Sequence, residues 1–166
     1  METPADTHTL ANALGVQALD HVAIAVRDFH AALPLYRDLL GGTPGEYEEF
    51  PNRGFRWLSL RYPNGSYIEL LEPVGERGFL QEFLAKRGEG VHHITFVVAD
   101  LRRAVERARA AGLRVVDENY DDPSWQEAFI SPRSAHGTII QLAHTPFDRA
   151  ERARRWSAHG FLVGTP

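Results

Sequence analysis

Two equal intervals constrain this chain more than anything in its composition. His21 and Glu69 are 48 residues apart, as are His93 and Gln141, and the two pairs are offset by 72 residues. At that offset Asp20-His21-Val22-Ala23-Ile24-Ala25-Val26-Arg27-Asp28 lies over His92-His93-Ile94-Thr95-Phe96-Val97-Val98-Ala99-Asp100. Gly65-Ser66-Tyr67-Ile68-Glu69-Leu70 lies over Gly137-Thr138-Ile139-Ile140-Gln141-Leu142. Two segments that hold one register without a net insertion point to a duplicated unit. Each copy contributes two metal-capable side chains.

A chain of 166 residues can bury a core and still divide into two small modules that share it. It has no cysteine, which excludes disulfides, thiolate zinc sites and cysteine nucleophiles together. Any metal must then be held by imidazole, carboxylate or amide. A net charge of -4 argues against a general nucleic-acid binder. Arg149, Arg152, Arg154 and Arg155 are interleaved with acids and read as a solvated helix. No apolar stretch reaches the roughly 20 residues that span a bilayer. Residues 1–14 lack the basic start and apolar core of a signal peptide. The expectation is a cytoplasmic protein with a small-molecule substrate and no nucleic-acid or membrane partner.

The hydrophobic and turn patterns predict a βαβββ order in each copy. In the first, a strand at 21–26 leads to a helix at 29–40, capped by Asp28 and stopped by Gly41-Gly42. Strands follow at 46–50, 55–62 and 66–71, separated by Pro51-Asn52-Arg53-Gly54 and Pro63-Asn64-Gly65. Pro34 lacks an N–H and clashes with the carbonyl four residues earlier, so the helix must kink there or begin later. In the second copy the strand is 93–98, the helix 101–111 under an Asp100 cap, and the further strands 113–116, 127–131 and 138–143. A short helix through 79–84 bridges the copies, and a terminal helix over 147–157 lies outside the repeat. The divisions are an N-terminal arm (1–17), a first module (18–74), a linker helix (75–90), a second module (91–145) and a C-terminal helix and tail (146–166). The expected class is α+β: two tandem βαβββ modules forming a curved mixed sheet around a metal-binding concavity.

Side chains alternate along a strand, so His21 shares a face with Ala23 and Ala25, whose small size leaves space around the imidazole. Glu69 shares its face with Tyr67 and Leu71, while Ile68 and Leu70 point to the helix side. A carboxylate on an apolar strand is costly to bury unless something compensates it, and a divalent cation does. Two imidazoles, one carboxylate and one amide oxygen leave two octahedral positions open, as a catalytic site requires. The plainer alternatives are an ion pair from Glu69 to Arg56 or Arg61, and a hydrogen-bonded core role for either histidine. Trp57, Tyr67 and Trp125, with Phe55, are candidates for an apolar substrate pocket, against the plainer reading of core residues. By alternation His92 faces away from His93 and receives no role. His136, His8, His30, His144 and His159 are expected at the surface, and Glu48 and Glu49 in solvent.

Together these residues resemble the vicinal oxygen chelate superfamily, with its glyoxalase/bleomycin resistance/dioxygenase fold. Leu19-Asp20-His21-Val22-Ala23-Ile24-Ala25-Val26 is similar to that superfamily's opening strand. Ile68-Glu69-Leu70-Leu71-Glu72-Pro73 and Phe83-Leu84-Ala85-Lys86-Arg87-Gly88-Glu89-Gly90-Val91-His92-His93-Ile94 resemble the corresponding stretches of methylmalonyl-CoA epimerases and glyoxalase I-like proteins. The likeness covers about residues 18–145. It implies that His21, His93, Glu69 and Gln141 bind one divalent metal. It also implies a departure: the epimerase pattern has carboxylates where this chain has Gln141 and Trp57. The acid and the amide have then exchanged modules, leaving Glu69 as the acidic ligand.

The implied function is a divalent-metal-dependent isomerase, epimerase or lyase. It would chelate adjacent oxygens of a small acyl or α-hydroxycarbonyl substrate and stabilise an enolate. A carboxylate would move the α-proton. The candidates are Glu69, by partly leaving the metal, and Glu127, whose plainer role is a solvent-facing strand residue. The metal is Co, Ni, Zn, Mn or Fe, and the resemblance implies a homodimer. Two other classes stay open. An extradiol-type ring-cleaving dioxygenase takes its carboxylate from the position of Gln141, and a non-catalytic binding or resistance protein of this fold lacks the metal ligands.

Overall fold

The computed structural model describes residues 12–158, so the expectations for His8 and His159 lie outside the described residues. The first copy runs β1 (Val16–Ala25), α1 (Phe29–Leu33), β2 (Thr43–Phe50), β3 (Phe55–Arg61) and β4 (Tyr67–Pro73). After the bridging helix α2 (Phe79–Arg87) come β5 (Gly90–Val98), α3 (Leu101–Ala110), β6 (Val115–Asn119), β7 (Gln126–Ile130) and β8 (Ile139–His144). A terminal helix, α4 (Arg149–Arg155), closes the order. Both copies therefore carry the βαβββ sequence of elements in a mixed α+β chain. Asp28 and Asp100 both cap the helix that follows them, accepting from the His30 and Arg103 amides at 2.8 and 3.0 Å. Gly65 and Gly137 both take a positive φ, at 82° and 89°, in the turn before the last strand. These pairs repeat the 72-residue offset.

Several boundaries differ from expectation, among them β6, which runs Val115–Asn119 rather than 113–116, and α4, which is shorter at both ends. β1 begins at Val16, inside the stretch read as an arm, because the Asn12 side chain pairs with both the Val16 N–H (2.6 Å) and its carbonyl (2.9 Å). The helix after Asp28 changes at Pro34 into a π-helical segment, Pro34–Leu39. Its wider ring is visible in the Leu40 N–H donating to the Leu35 carbonyl at 2.9 Å. The bridging helix runs on to Arg87, three residues beyond the span read from its apolar residues.

The chain divides into two compact units: Met1–Leu19 with Thr95–Pro146, and Asp20–Ile94 with Phe147–Pro166. The cuts fall inside β1 and β5. In the unit built on the first copy the strands are ordered β2-β3-β4-β1. β1 is parallel to β4, and the remaining pairs are antiparallel. One face buries Leu58, Leu60 and Leu70 against Phe29 and Leu33 of α1. The other buries Ala23, Ala25 and Leu71 against Leu80 and Leu84 of α2. Each buried leucine contributes about 1.5–3 kcal/mol relative to exposure, so α2 is anchored on the face that carries His21 and Glu69.

In the unit built on the second copy the strands follow β5-β8-β7-β6. α3 buries Leu101, Ala104, Val105 and Ala108 against Val115, Ala128, Ile130 and Leu142. Among the described residues, no helix is long and apolar enough to cross a membrane.

Candidate metal centre

Glu69 lies mid-strand on β4, directly beside Ala23 of β1. Ala23 and Ala25 are fully buried and present only methyl groups, which opens room for the imidazole of His21 two residues earlier. His21 Nε2 lies 3.6 Å from Glu69 Oε2. His93 of β5 completes the group, its ring centroid 5.7 Å from that of His21. One ligand atom from each of His21, Glu69 and His93 lies within 4.8 Å of the others. Donors about 2.0–2.2 Å from a shared cation are separated by roughly 3–4 Å, so this cluster needs only small adjustments to hold a divalent ion. Burial pushes the Glu69 carboxyl above its usual range, opposed in part by His21. A buried carboxylate facing two imidazoles is the donor set such a cation satisfies. The alternative ion pair to Glu69 is not formed by Arg56, which instead holds Glu72 at 2.6 Å.

The residue before each of these two histidines grips that histidine's inner nitrogen. Asp20 Oδ2 lies 2.8 Å from His21 Nδ1, and His92 Nδ1 lies 2.8 Å from His93 Nδ1. Both contacts leave Nε2 as the ring's outward ligand atom and fix the ring's orientation, as the outer partners of metal-bound histidines do. The expectation that His92 faces away and does nothing is overturned. Nδ1 sits two bonds from Cβ, within reach of a neighbour's side chain whichever face that neighbour starts from. His92 packs against Phe79 and Phe83 of α2, with ring centroids 5.5 and 4.7 Å away. Burial, then the nearby Arg87 charge, lowers its pKa to about 4, so it stands neutral as an acceptor.

Asp20 in turn is held by the terminal helix. Asp148 caps α4, accepting from the Glu151 N–H at 2.8 Å. Arg149 and Arg152, three residues apart, then share one helical face. Arg152 places both terminal nitrogens on the Asp20 carboxylate, at 2.6 and 3.3 Å, and is buried. Arg149 donates to the Asp20 carbonyl at 2.8 Å and to its carboxylate, and stacks 3.7 Å over the Tyr67 ring. Burial alone would raise the Asp20 carboxyl, but hydrogen bonds from His21 and Arg152 and the Arg149 charge outweigh it and hold the carboxyl well below the usual range. The reading of this basic run as wholly solvated is corrected: Arg149 and Arg152 reach back across more than 100 residues to the residue that holds His21.

A carboxylate that the sequence pattern did not single out also faces this region. Tyr47 pairs with Leu58 and Pro44 with Leu60, so Gly45 and Glu46 together oppose Ser59 in a β-bulge. Ser59 is itself the register partner of Glu69. The bulge places Glu46 in a row with Ser59 and Glu69, its N–H donating to Ser59 Oγ at 2.8 Å. Glu46 is only 4% exposed, and after burial and His21 it is the next influence on Glu69, pushing that carboxyl further up. Strand periodicity could not reveal it, because a bulge breaks the alternation. Glu49 is exposed and Glu48 half-buried.

Gln141 lies in the other unit. Its amide nitrogen donates to Glu127 Oε2 at 2.8 Å and its oxygen accepts from Thr95 Oγ1 at 2.6 Å. An ionised carboxylate only accepts, so Glu127 fixes which way the amide points. Glu127 also accepts from Trp125 Nε1 at 3.3 Å and is buried, which corrects its reading as a solvent-facing residue. Trp57 is half-buried beside Phe55 and Leu71 in the apolar cluster on the α2 face, and Tyr67 lies beneath Arg149. His30 and His136 are exposed as expected, whereas His144 is half-buried with Nδ1 3.2 Å from the Val98 carbonyl.

Known proteins are similar to this chain in sequence and fold. Residues 20–129 match the family model of the Glyoxalase/Bleomycin resistance protein/Dioxygenase superfamily. The chain is 35% identical over 128 residues to an ethylmalonyl-CoA/methylmalonyl-CoA epimerase of Cereibacter sphaeroides, covering 75% of this chain and 95% of that protein. A crystal structure of methylmalonyl-CoA epimerase from Mycobacterium tuberculosis is similar at a TM-score of 0.73 and 33% identity, covering 87% of this chain and 97% of that one. A methylmalonyl-CoA epimerase solved in complex with methylmalonyl-CoA and an ammonium ion aligns at a TM-score of 0.69 and 31% identity, over 79% of this chain and 96% of that chain. With two βαβββ copies and a clustered His-Glu-His set, the chain belongs to the Glyoxalase/Bleomycin resistance protein/Dioxygenase superfamily and is an enzyme of its epimerase branch.

Proposed function

We propose that this chain epimerises the α-carbon of a 2-carboxyacyl-CoA thioester of the methylmalonyl- or ethylmalonyl-CoA kind, using a divalent metal. The observation that carries it is the convergence of His21, Glu69 and His93 beside the buried carboxylate of Glu46. The likeness to named epimerases favours this reading over a ring-cleaving dioxygenase. A divalent ion held by His21, Glu69 and His93 would supply Lewis acidity to the thioester and carboxylate oxygens and so acidify the α-proton. Gln141 is proposed as a fourth ligand on the 48- and 72-residue spacing alone. The imidazole and oxygen donors suit Co, Ni, Zn, Mn or Fe.

The protein's own groups then have separate tasks. Asp20 and His92 hold the two imidazoles with Nε2 forward. Glu46 takes the α-proton and its electron pair passes into the thioester carbonyl, leaving an enolate. Returning a proton to the opposite face gives the other epimer. Glu69 is retained as ligand and as a candidate for that second transfer, with Glu127 the other candidate. Trp57, Tyr67 and Trp125 are kept as pocket residues, and a cytoplasmic homodimer as the expected state. Incubation with methylmalonyl-CoA in heavy water tests the reading. Metal-dependent deuterium uptake at the α-carbon with racemisation supports it, and metal-loaded protein that leaves the α-proton in place contradicts it.

A further inference from the structure

α4 begins twenty residues after the family match ends at residue 129, yet its first turn reaches the centre of the site. Arg149 makes three kinds of contact there. Nη2 holds the carbonyl and carboxylate of Asp20, which sets the ring of His21. Nη1 lies 3.2 Å from Glu46 Oε1. The guanidinium plane rests on Tyr67, two residues from Glu69 on the same strand face. One planar cation thus ties together the supports of a ligand histidine, a ligand carboxylate's neighbour and the proton-moving carboxylate.

The charge count explains why one residue occupies this position. Asp20 and Glu46 are both buried acids, and Arg152 of the same helix holds Asp20. Arg149 reaches both Asp20 and Glu46, so its fork supplies positive charge to the two carboxylates at once. A lysine carries the same charge, but its ammonium lacks the planar fork that spans two acceptors while stacking on a ring. The strand edge is fixed independently of the side chain: the Tyr47 N–H donates to the Trp156 carbonyl at 2.7 Å, and the Ala158 N–H to the Gly45 carbonyl at 3.0 Å. These backbone bonds keep the bulge of Glu46 pinned to the end of α4 even when Arg149 is altered.

We propose that Arg149 is a positioning residue that sets the metal ligand His21, through Asp20, and the base Glu46 in register with each other. This rests on the metal-dependent reading above. The test titrates metal-free wild type, Arg149→Met and Arg149→Lys with cobalt(II), following the ligand-field absorption, and measures Tm and the kcat and KM of α-proton exchange. The Asp20 arm predicts cobalt affinity weakened about tenfold or more in Arg149→Met. The Glu46 arm predicts a loss in kcat at least as large, with KM changed little. Arg149→Lys keeps the Tm of wild type while recovering only part of both. A wild type that takes up no cobalt overturns the reading and the proposal together. A wild type that binds cobalt and an Arg149→Met variant with the same affinity and kcat, whatever its Tm, overturn the proposal alone.

Discussion

Asp20 and His92 stand 72 residues apart at the same position of the two copies, and each lies 2.8 Å from Nδ1 of the histidine that follows it. The duplication therefore repeats the support of each histidine as well as the histidine. The two supports differ in charge, a carboxylate behind His21 and a neutral imidazole behind His93. When His93 offers Nε2 to a cation its proton sits on Nδ1, and His92 must accept it.

That pairing predicts the outcome of two substitutions. His92→Phe removes this acceptor beside His93 Nδ1, so metal affinity should fall about 10- to 100-fold. His92→Gln can still offer an amide oxygen and should lose less. Competition against a chelator of known affinity, with both variants folded, gives the comparison. Equal affinities in His92→Phe and wild type would remove His92 from the site.

Asp20 also predicts how stability depends on pH. Its folded pKa lies below the unfolded value near 3.9. A carboxyl depressed in this way contributes stability that is fully present above the unfolded value and is lost as pH falls towards the folded one. Denaturant unfolding of metal-free protein should therefore lose stability below about pH 4. In Asp20→Asn that slope should flatten by up to one proton, about 1.4 kcal/mol per pH unit. The variant should also be less stable at neutral pH by about 3–5 kcal/mol, because the buried ion pair between Asp20 and Arg152 is broken.

Glu69 has the opposite sign. Burial raises its carboxyl above the unfolded value, so ionising it costs the metal-free folded state stability, which is lost as pH rises through that raised value. Glu69→Gln removes the buried negative charge and should raise the Tm of the metal-free protein at pH 7 while weakening metal binding. Stability gained and affinity lost in one substitution is the mark of a site held at a cost to the fold. A variant with lower Tm and unchanged metal affinity would contradict this assignment.

Glu46→Gln separates the base from the ligands. Removing a proton-transfer group costs roughly 10²- to 10⁴-fold in rate, so deuterium uptake at the α-carbon should fall within that range. Metal content should match wild type, since Glu46 is not among the clustered ligands. Full activity in Glu46→Gln would return the proton-moving role to Glu69 or Glu127.

The sequence was informative where a periodic rule carried the information. A fixed offset between copies located His21, Glu69 and His93, and alternation placed Glu69 on the α2 face with Leu71. It failed where local geometry broke the period. Glu46 was hidden by a bulge that sets two residues against Ser59. His92 was hidden because Nδ1 lies too near the backbone for facing to matter. Arg149 and Arg152 were misread because helical charge patterning says nothing about an acid 129 and 132 residues earlier in the chain. Pro34 did signal an interruption, but which hydrogen-bond ring replaces the lost one depends on packing that a single residue does not encode.

X-ray absorption at the metal edge of protein loaded with one equivalent of cobalt(II) tests the central claim most directly. The account predicts a shell containing two imidazoles and a carboxylate oxygen, with one imidazole lost in His21→Ala and one in His93→Ala. A shell without imidazole scattering, or one that neither substitution alters, would contradict it.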